Sequence, residues 1–196
     1  MRVLAVSDLH LDAAAAEALL SAAGAADLVI CAGDLANQHE GLVDYAARLA
    51  PIAGRTLMVP GNNETLDALR AATQATVLHG EAVERGGLTI AGIGGGIPPL
   101  PPMPWSSWDL TEAQARRHLD GIGRADILVC HSPPAGLGDN HASLGHIGSV
   151  ALKEAVIRLA PRLCLFGHVH DCWGEGGTLG PTEWRNLGPR PVWFTL

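Results

Sequence analysis

The chain has 196 residues, of which 47% are hydrophobic and 17% are charged, and its net charge is −7. This composition is typical of one globular domain spanning residues 1–196 with a sizeable core, and it excludes a disordered chain. The 13 lysines and arginines outline no basic face, so we expect no long nucleic-acid duplex as a partner. No apolar run reaches the length of a bilayer span, and the first predicted strand leaves no room for a signal peptide. We therefore expect no membrane partner and a cytoplasmic location.

Four cysteines support a reducing location. Cys31, Cys130 and Cys164 lie inside apolar runs, and no C-x-x-C pair is present. Small reduced core residues are the simplest interpretation of these three. Cys172 follows a His-x-His motif, so its role stays open at this point.

The first third of the chain alternates predicted strands with predicted helices. In chain order these are a strand at 3–6, a helix from Asp12 to about Gly24, a strand at 28–34, a helix at 40–50, a strand at 56–59 and a helix at 64–73. The run at 28–31 is apolar without alternation, which is typical of a strand buried on both faces. This order predicts parallel strands joined by right-handed crossovers.

The rest of the chain is less regular. A hairpin is predicted within 77–93, and a loop rich in glycine and proline follows at 94–105. Thr111 opens a capping-box pattern and a helix to about Leu119. The remaining predicted elements are a strand at 127–131, a polar loop through 139–146, a helix at 149–160, a strand at 163–170, a glycine-rich loop and a last strand at 192–196.

Polar side chains follow five of the apolar runs at the point where each run ends. They are Asp8 and His10, Asp34, Asn62 and Asn63, His131, and His168 and His170. Ligands of open α/β sheets gather at the carboxyl ends of strands, so five tips on one edge would bring these groups together. Carboxylate, amide and imidazole side chains are ligands of divalent metals. His168 and His170 would face opposite sides of a regular strand, so the chain must turn after Gly167.

The order of these motifs resembles a known enzyme group. The sequence contains D-x-H at 8–10, G-D at 33–34, G-N at 61–62, a histidine at 131 and G-H-x-H at 167–170. The set resembles the calcineurin-like metallophosphoesterase superfamily, whose pattern is D-x-H, G-D, G-N-H-D/E, H and G-H-x-H. The segment from His131 to Asp139 is similar to that of the small single-domain phosphodiesterase branch. The resemblance implies an α/β fold with two central mixed β-sheets flanked by helices, a four-layer sandwich.

The resemblance also implies a centre of two divalent metal ions. One ion would be held by Asp8, His10, Asp34 and His170, and the other by Asp34, Asn62, His131 and His168. Manganese is the first choice, and iron or zinc also fit such ligands. A shared Asp34 would hold the ions at the spacing used for in-line displacement at phosphorus, with a bridging hydroxide as the nucleophile. Only two carboxylates are present, so the loaded centre would be positive and would attract a phosphate ester.

One position departs from the family pattern. The family has a histidine after Gly-Asn that binds phosphate and protonates the leaving group, whereas this chain has Asn63. Asparagine can donate a hydrogen bond to phosphate but cannot supply a proton. His141 or His146 could replace that proton donor, although a solvent-facing role explains each of them as well. With Asp34 and His131, Asn63 completes the predicted catalytic residues.

The sequence therefore predicts a metal-dependent phosphoric ester hydrolase acting on phosphodiesters or activated phosphomonoesters. The alternatives are a phosphomonoesterase or nucleotide phosphatase, and a catalytically weak metal-binding scaffold with a protein partner. The expected substrate is a small phosphoester, with nucleotides among the candidates, and the oligomeric state is open. His39 would lie near the site or on the loop surface, and His79 and His118 in the core or on the surface. Trp105 and Trp108 would stack on a substrate base or pack their loop onto the body.

Overall fold

The computed structural model describes residues 1–196. The strands are β1 (Arg2–Val6), β2 (Leu28–Cys31), β3 (Thr56–Met58), β4 (Thr76–Val77), β5 (Glu81–Arg85), β6 (Leu88–Ile93), β7 (Ile127–Cys130), β8 (Asn140–His141), β9 (Gly145–His146), β10 (Leu163–Phe166), β11 (Gly176–Leu179), β12 (Thr182–Asn186) and β13 (Val192–Thr195). The α-helices are α1 (Ala13–Ala23), α2 (Leu42–Arg48), α3 (Leu66–Ala72), α4 (Glu112–Asp120) and α5 (Val150–Leu159). Two short 3-10 helices lie at Ala50–Arg55 and His170–Cys172.

The strands form two mixed sheets and a small hairpin. The first sheet has the order β13-β1-β2-β3-β4, and all its pairs are parallel except β13 with β1. The second sheet has the order β11-β12-β10-β7-β6-β5, in which only the two outer pairs are antiparallel. β8 and β9 pair with each other alone.

The sheets and helices stack in four layers. One core, which includes Leu4 and Met58, lies between the first sheet and helices α1, α2 and α3. A second core, which includes Leu128 and Phe166, lies between the second sheet and helices α4 and α5. The third core lies between the two sheets and includes Val3. Because successive side chains of a strand point to opposite faces, β1 contributes to the first core and to the third. The four-layer α/β prediction is confirmed.

Two helices, α1 and α4, begin at the capping residues that the sequence indicates, whereas α2 and α3 begin two residues later than predicted, at Leu42 and Leu66. Asp12 caps α1 by accepting hydrogen bonds from the N–H groups of Ala14 and Ala15. Thr111 and Gln114 form the predicted capping box at the start of α4. These caps satisfy N–H groups that have no partner within the helix.

Four parts of the chain differ from the sequence prediction. The predicted polar loop at 139–146 contains the β8–β9 hairpin. The five strand tips do not lie on one sheet edge, because β1, β2 and β3 belong to the first sheet whereas β7 and β10 belong to the second. Val77 pairs in β4 of the first sheet and is not part of the hairpin. The segment after His170, which the sequence predicts to be a glycine-rich loop, contains β11 and β12. β12 is held in the second sheet by its pairing with β10 and by the stacking of Trp184 on Phe166.

No helix in the structure combines the length and the apolar character needed to cross a membrane.

Candidate metal centre

The predicted ligands lie where the carboxyl ends of strands from the two sheets face each other. Four of them, Asp8, His10, Asp34 and His168, have positive φ angles of 53°, 41°, 57° and 70°. Residues other than glycine rarely adopt this left-handed conformation, and its energetic cost is tolerated chiefly at functional sites. The chain turns sharply at each of these tips, so the side chains leave the sheets and converge. The 3-10 segment that begins at His170 provides the turn expected after Gly167.

A first cluster contains one carboxylate and two imidazoles. Potential ligand atoms of Asp8, His10 and His170 all lie within 4.8 Å of one another. The two Nε2 atoms of His10 and His170 are 3.2 Å apart. Two nitrogens and a carboxylate oxygen at such distances suit a divalent transition metal.

A second cluster lies beside the first. Asp8, Asp34 and His131 form another group whose ligand atoms lie within 4.8 Å of one another. The Oδ1 atom of Asn62 lies 3.0 Å from Nε2 of His131 and 3.1 Å from Nδ1 of His168. The structure therefore brings all seven predicted ligand residues into two adjoining groups.

Asp34 joins the two clusters through a single oxygen. Its Oδ2 atom lies 3.5 Å from Nε2 of His10 and 3.4 Å from Nε2 of His131. The Nδ1 atoms of these histidines are 3.2 Å and 2.8 Å from the carbonyl oxygens of Ala36 and Ala32. A hydrogen bond from Nδ1 to a carbonyl leaves Nε2 with its lone pair toward the centre, as metal-binding histidines require. The donor set thus fits divalent metal ions.

A sequence model of one enzyme family matches most of the chain. The calcineurin-like phosphoesterase model aligns with residues 1–172. The chain belongs to the calcineurin-like phosphoesterase family. Membership supports a metal-dependent hydrolase that acts on phosphoesters, in agreement with the ligand clusters. No curated protein sequence matches the chain.

Solved structures of low sequence identity share this calcineurin-like fold. A protein from Thermus thermophilus superposes with a TM-score of 0.73 and 20% identity, over 95% of this chain and 88% of that one. Phosphopantetheinyl hydrolase from Mycobacterium tuberculosis gives 0.61 and 18%, over 96% and 90% of the two chains. An archaeal phosphodiesterase gives 0.55 and 12%, over 96% and 84%. At these identities the likeness shows the fold alone.

Contacts that the sequence does not indicate hold Asp8 in this phosphoesterase. Its Oδ2 atom accepts hydrogen bonds from Ser7 Oγ at 2.5 Å and from the indole Nε1 of Trp173 at 3.0 Å. The N–H of His168 donates to Oδ1 at 3.0 Å. The Trp173 ring also packs against His170, with 4.3 Å between ring centroids. Trp173 therefore orients two residues of the first cluster, although it lies outside the family motifs.

Asn63 orients the shared carboxylate. Its backbone N–H donates to Asp34 Oδ1 at 2.9 Å, and its Nδ2 donates to Asp34 Oδ2 at 2.7 Å. Its own Oδ1 accepts from the N–H of Gln38 at 2.8 Å. The prediction that Asn63 lies at the site is therefore consistent with the structure, where its position is fixed by these contacts. A second N–H of the amide remains for another acceptor.

A buried glutamate connects the loops that carry the ligands. Glu64 is 1% exposed, and its carboxylate accepts from the backbone N–H groups of Asp34, Ala36 and Gly61. Burial and the charge of Asp34 raise its pKa to about 7. Its three N–H partners show that Glu64 fixes the second and third strand tips relative to each other.

The charge distribution of the site favours a cation among the ligands. Burial lowers the pKa of His131, but the charge of Asp34 outweighs this and raises it to about 9. Burial and the charge of His131 lower the pKa of His168 to about 3. The carboxylates therefore attract positive charge, and protons and metal ions compete for the same nitrogens.

A cleft of about 420 Å³ opens onto the clusters. Its lining comprises His10, Asp34, Asn62, Asn63, Leu100, His141, Ala142, Ile147, His168, His170 and Asp171. No lysine or arginine lines it. Of the two candidate proton donors, His141 lines the cleft, whereas Nδ1 of His146 pairs with Asp139 Oδ1 at 2.7 Å.

The other histidines and tryptophans singled out in the sequence lie outside the cleft lining. His39 contacts the Ser106 carbonyl through Nε2 and the Trp105 ring. His79 packs between Trp108 and His118. These contacts favour a role in packing the loop at 94–109 onto the body. Cys172 is buried and donates to the Asn140 carbonyl, also outside the cleft.

Proposed function

We propose that this family member is a two-metal enzyme that hydrolyses phosphodiesters or activated phosphomonoesters. One ion would be held by Asp8, His10, Asp34 and His170, and the other by Asp34, Asn62, His131 and His168. The observation that carries the proposal is the position of Asp34 Oδ2, within 3.5 Å of a ligand nitrogen in each cluster. A carboxylate at this position can be shared by two ions.

Bound divalent ions would neutralise phosphoryl charge and make water nucleophilic at neutral pH. The protein's own residues supply orientation. Asn63 and Glu64 hold the Asp34 segment, and Trp173 holds Asp8 and His170. Because no lysine or arginine lines the cleft, the chain offers no permanent side-chain cation to a phosphate there. Binding of the anionic ester is therefore expected to depend on the metal.

The choice of substrate follows from the absence of a proton donor at position 63. Asn63 cannot protonate a departing alkoxide. Esters whose leaving groups depart as stable anions need no such proton, so activated aryl esters should be cleaved best. His141 is the one histidine in the cleft lining that is not among the proposed ligands. It is accordingly the candidate donor for less activated diesters.

The test is a substrate screen on the purified protein. Protein freed of metal is loaded with manganese, iron or zinc and assayed on bis(4-nitrophenyl) phosphate, 4-nitrophenyl phosphate, a cyclic nucleotide and an alkyl monoester. Asp34→Ala should abolish activity and tight binding of both ions, whereas Asp67→Ala, at an exposed position in α3, should change neither. Full activity of Asp34→Ala or of metal-free protein would contradict the proposal.

The same screen separates the alternatives. Turnover of the monoesters without turnover of bis(4-nitrophenyl) phosphate or the cyclic nucleotide, both of which are diesters, would identify a phosphomonoesterase or nucleotide phosphatase. Stoichiometric binding of two ions without turnover of any ester would identify a metal-binding scaffold. The activities of the three metal-loaded forms test the choice of manganese, which remains part of the proposal.

A further inference from the structure

The segment 94–109, which comprises the loop rich in glycine and proline at 94–105 and the four residues after it, is attached directly to one proposed ligand. The carbonyl of Asn62 accepts a hydrogen bond from the N–H of Trp108 at 3.0 Å. The side-chain Nδ2 of Asn62 donates to Ser107 Oγ at 2.9 Å. Ser107 Oγ in turn donates to Asp109 Oδ1 at 2.6 Å. The loop therefore holds both the backbone and the side chain of Asn62.

The direction of these hydrogen bonds fixes the orientation of the amide. An ionised carboxylate only accepts, so the hydroxyl proton of Ser107 is directed to Asp109. The oxygen of Ser107 is then an acceptor for Asn62 and matches the NH₂ end of the amide. The opposite end, Oδ1, consequently faces His131 and His168, at 3.0 Å and 3.1 Å. A rotated amide would present N–H groups to the centre, and these cannot bind a metal ion.

The loop is shaped for this contact. Gly96 pairs with Asp109 in an isolated bridge, and its carbonyl accepts from the N–H of Leu110 at 2.8 Å. A Cβ atom on Gly96 would lie 2.2 Å from Asp109 Oδ1, so a larger residue would displace the carboxylate. The glycine thus permits the close approach that places Asp109 beside Ser107.

We propose that Ser107 and Asp109 are positioning residues that hold the Asn62 amide with its oxygen toward the second ion. The inference rests on the proposed function, because it requires Asn62 to be a ligand. It gives the loop a role at the centre even though neither of its tryptophans lines the cleft. Removing a residue that hydrogen-bonds to a metal ligand typically lowers the metal affinity by about 10- to 100-fold.

The test measures manganese binding to metal-free protein by titration calorimetry. Asn62→Ala identifies which of the two binding events belongs to the Asn62 site, and that event is called the second event here. Ser107→Ala should weaken the second event by about tenfold or more and leave the other event unchanged. Ser107→Thr, which keeps the hydroxyl, should restore the affinity. Ser106→Ala is the matched control, since its side chain is exposed on the same loop. Asp109→Asn should weaken the second event in the same direction.

A double variant separates positioning from general damage to the loop. If Ser107 acts through Asn62, adding Ser107→Ala to Asn62→Ala should weaken binding no further. Additive losses, wild-type affinity in Ser107→Ala, or no rescue by Ser107→Thr would overturn the positioning role. If Asn62→Ala still weakens the second event, such results for the Ser107 variants would overturn only the positioning role and would leave the proposed function intact. Two-ion binding that is unaffected by Asn62→Ala, or no second event in wild type, would overturn the ligand assignment and the inference together.

Discussion

Replacing Gly61 with alanine should damage the centre although no proposed ligand is itself substituted. A Cβ atom at this position would lie 1.9 Å from Oδ1 and 2.3 Å from the backbone nitrogen of Asp34. Contacts of a Cβ atom below 3.0 Å are essentially never observed. Gly61 does not have a positive φ angle, so the expected effect is steric and not a backbone strain of alanine. The shared carboxylate must therefore move.

The size of the movement sets the expected loss. Asp34 Oδ1 has to retreat by about 1 Å to reach an allowed contact, and displacements of that size can cost about 100-fold in rate. This corresponds to about 2.7 kcal/mol of lost transition-state stabilisation. The same retreat pulls Oδ2 away from the histidines on either side, so affinity for both ions should fall in parallel. A defect confined to one ion is not expected.

The assay compares Gly61→Ala with Gly54→Ala. A Cβ atom at Gly54 meets nothing within 4 Å, and this glycine also lacks a positive φ angle. Calorimetric manganese titrations and kcat/KM on bis(4-nitrophenyl) phosphate are measured for both variants, together with circular dichroism to confirm that each is folded. A folded Gly61→Ala protein with wild-type affinity and rate would refute the steric reasoning. Equal losses in Gly54→Ala would refute its assignment to Asp34.

Three further predictions concern proton transfer and stability. Asn63→His should raise rates on alkyl esters by up to about 10²–10⁴-fold and on aryl esters far less, since only poor leaving groups need a proton; equal gains on both would contradict this. His141→Ala should steepen the dependence of rate on leaving-group pKa, whereas His146→Ala should not, and identical slopes would exclude His141 as the donor. Burial and the neighbouring His118 lower the pKa of His79 from 6.5 to about 4, so the unfolded state binds more protons between these pH values and stability should fall as pH falls through them. Urea unfolding of metal-free protein should show a smaller fall for His79→Gln, and an unchanged fall would argue against His79.

The ligand positions could be predicted because each strand tip is a local pattern. An apolar run followed by a charged or imidazole side chain, as at Val6 to Asp8 or Cys130 to His131, needs no tertiary information. The capping box at Thr111 is local in the same sense, and it is present in the structure. The family pattern then supplied the order in which such tips occur.

The division of the tips between two sheets could not be predicted, because it depends on pairing between distant strands. β12 was not predicted because the segment before it is rich in glycine, which has a low strand propensity. Its pairing with β10, 20 positions earlier at Leu163↔Glu183, is a tertiary contact that the local sequence does not indicate. The contacts of Trp173 with Asp8 and of Ser107 with Asn62 join residues 165 and 45 positions apart. No periodicity or spacing in the sequence indicates such contacts.

The meeting of two sheets at the centre has a consequence for the order of folding. Asp8, Asp34 and Asn62 follow strands of the first sheet, whereas His131, His168 and His170 follow strands of the second. The hydrogen bond from His168 to Asp8 spans 160 positions, so its loop closes late compared with local contacts. The pairing of β13 with β1 closes a still longer loop, from Arg2 to Thr195. We therefore expect the parallel strands β1 to β4 and the second sheet to form before the complete ligand set exists. In refolding experiments, uptake of the metal should then follow the step in which the preformed layers dock, and metal concentration should alter the unfolding rate more than the folding rate.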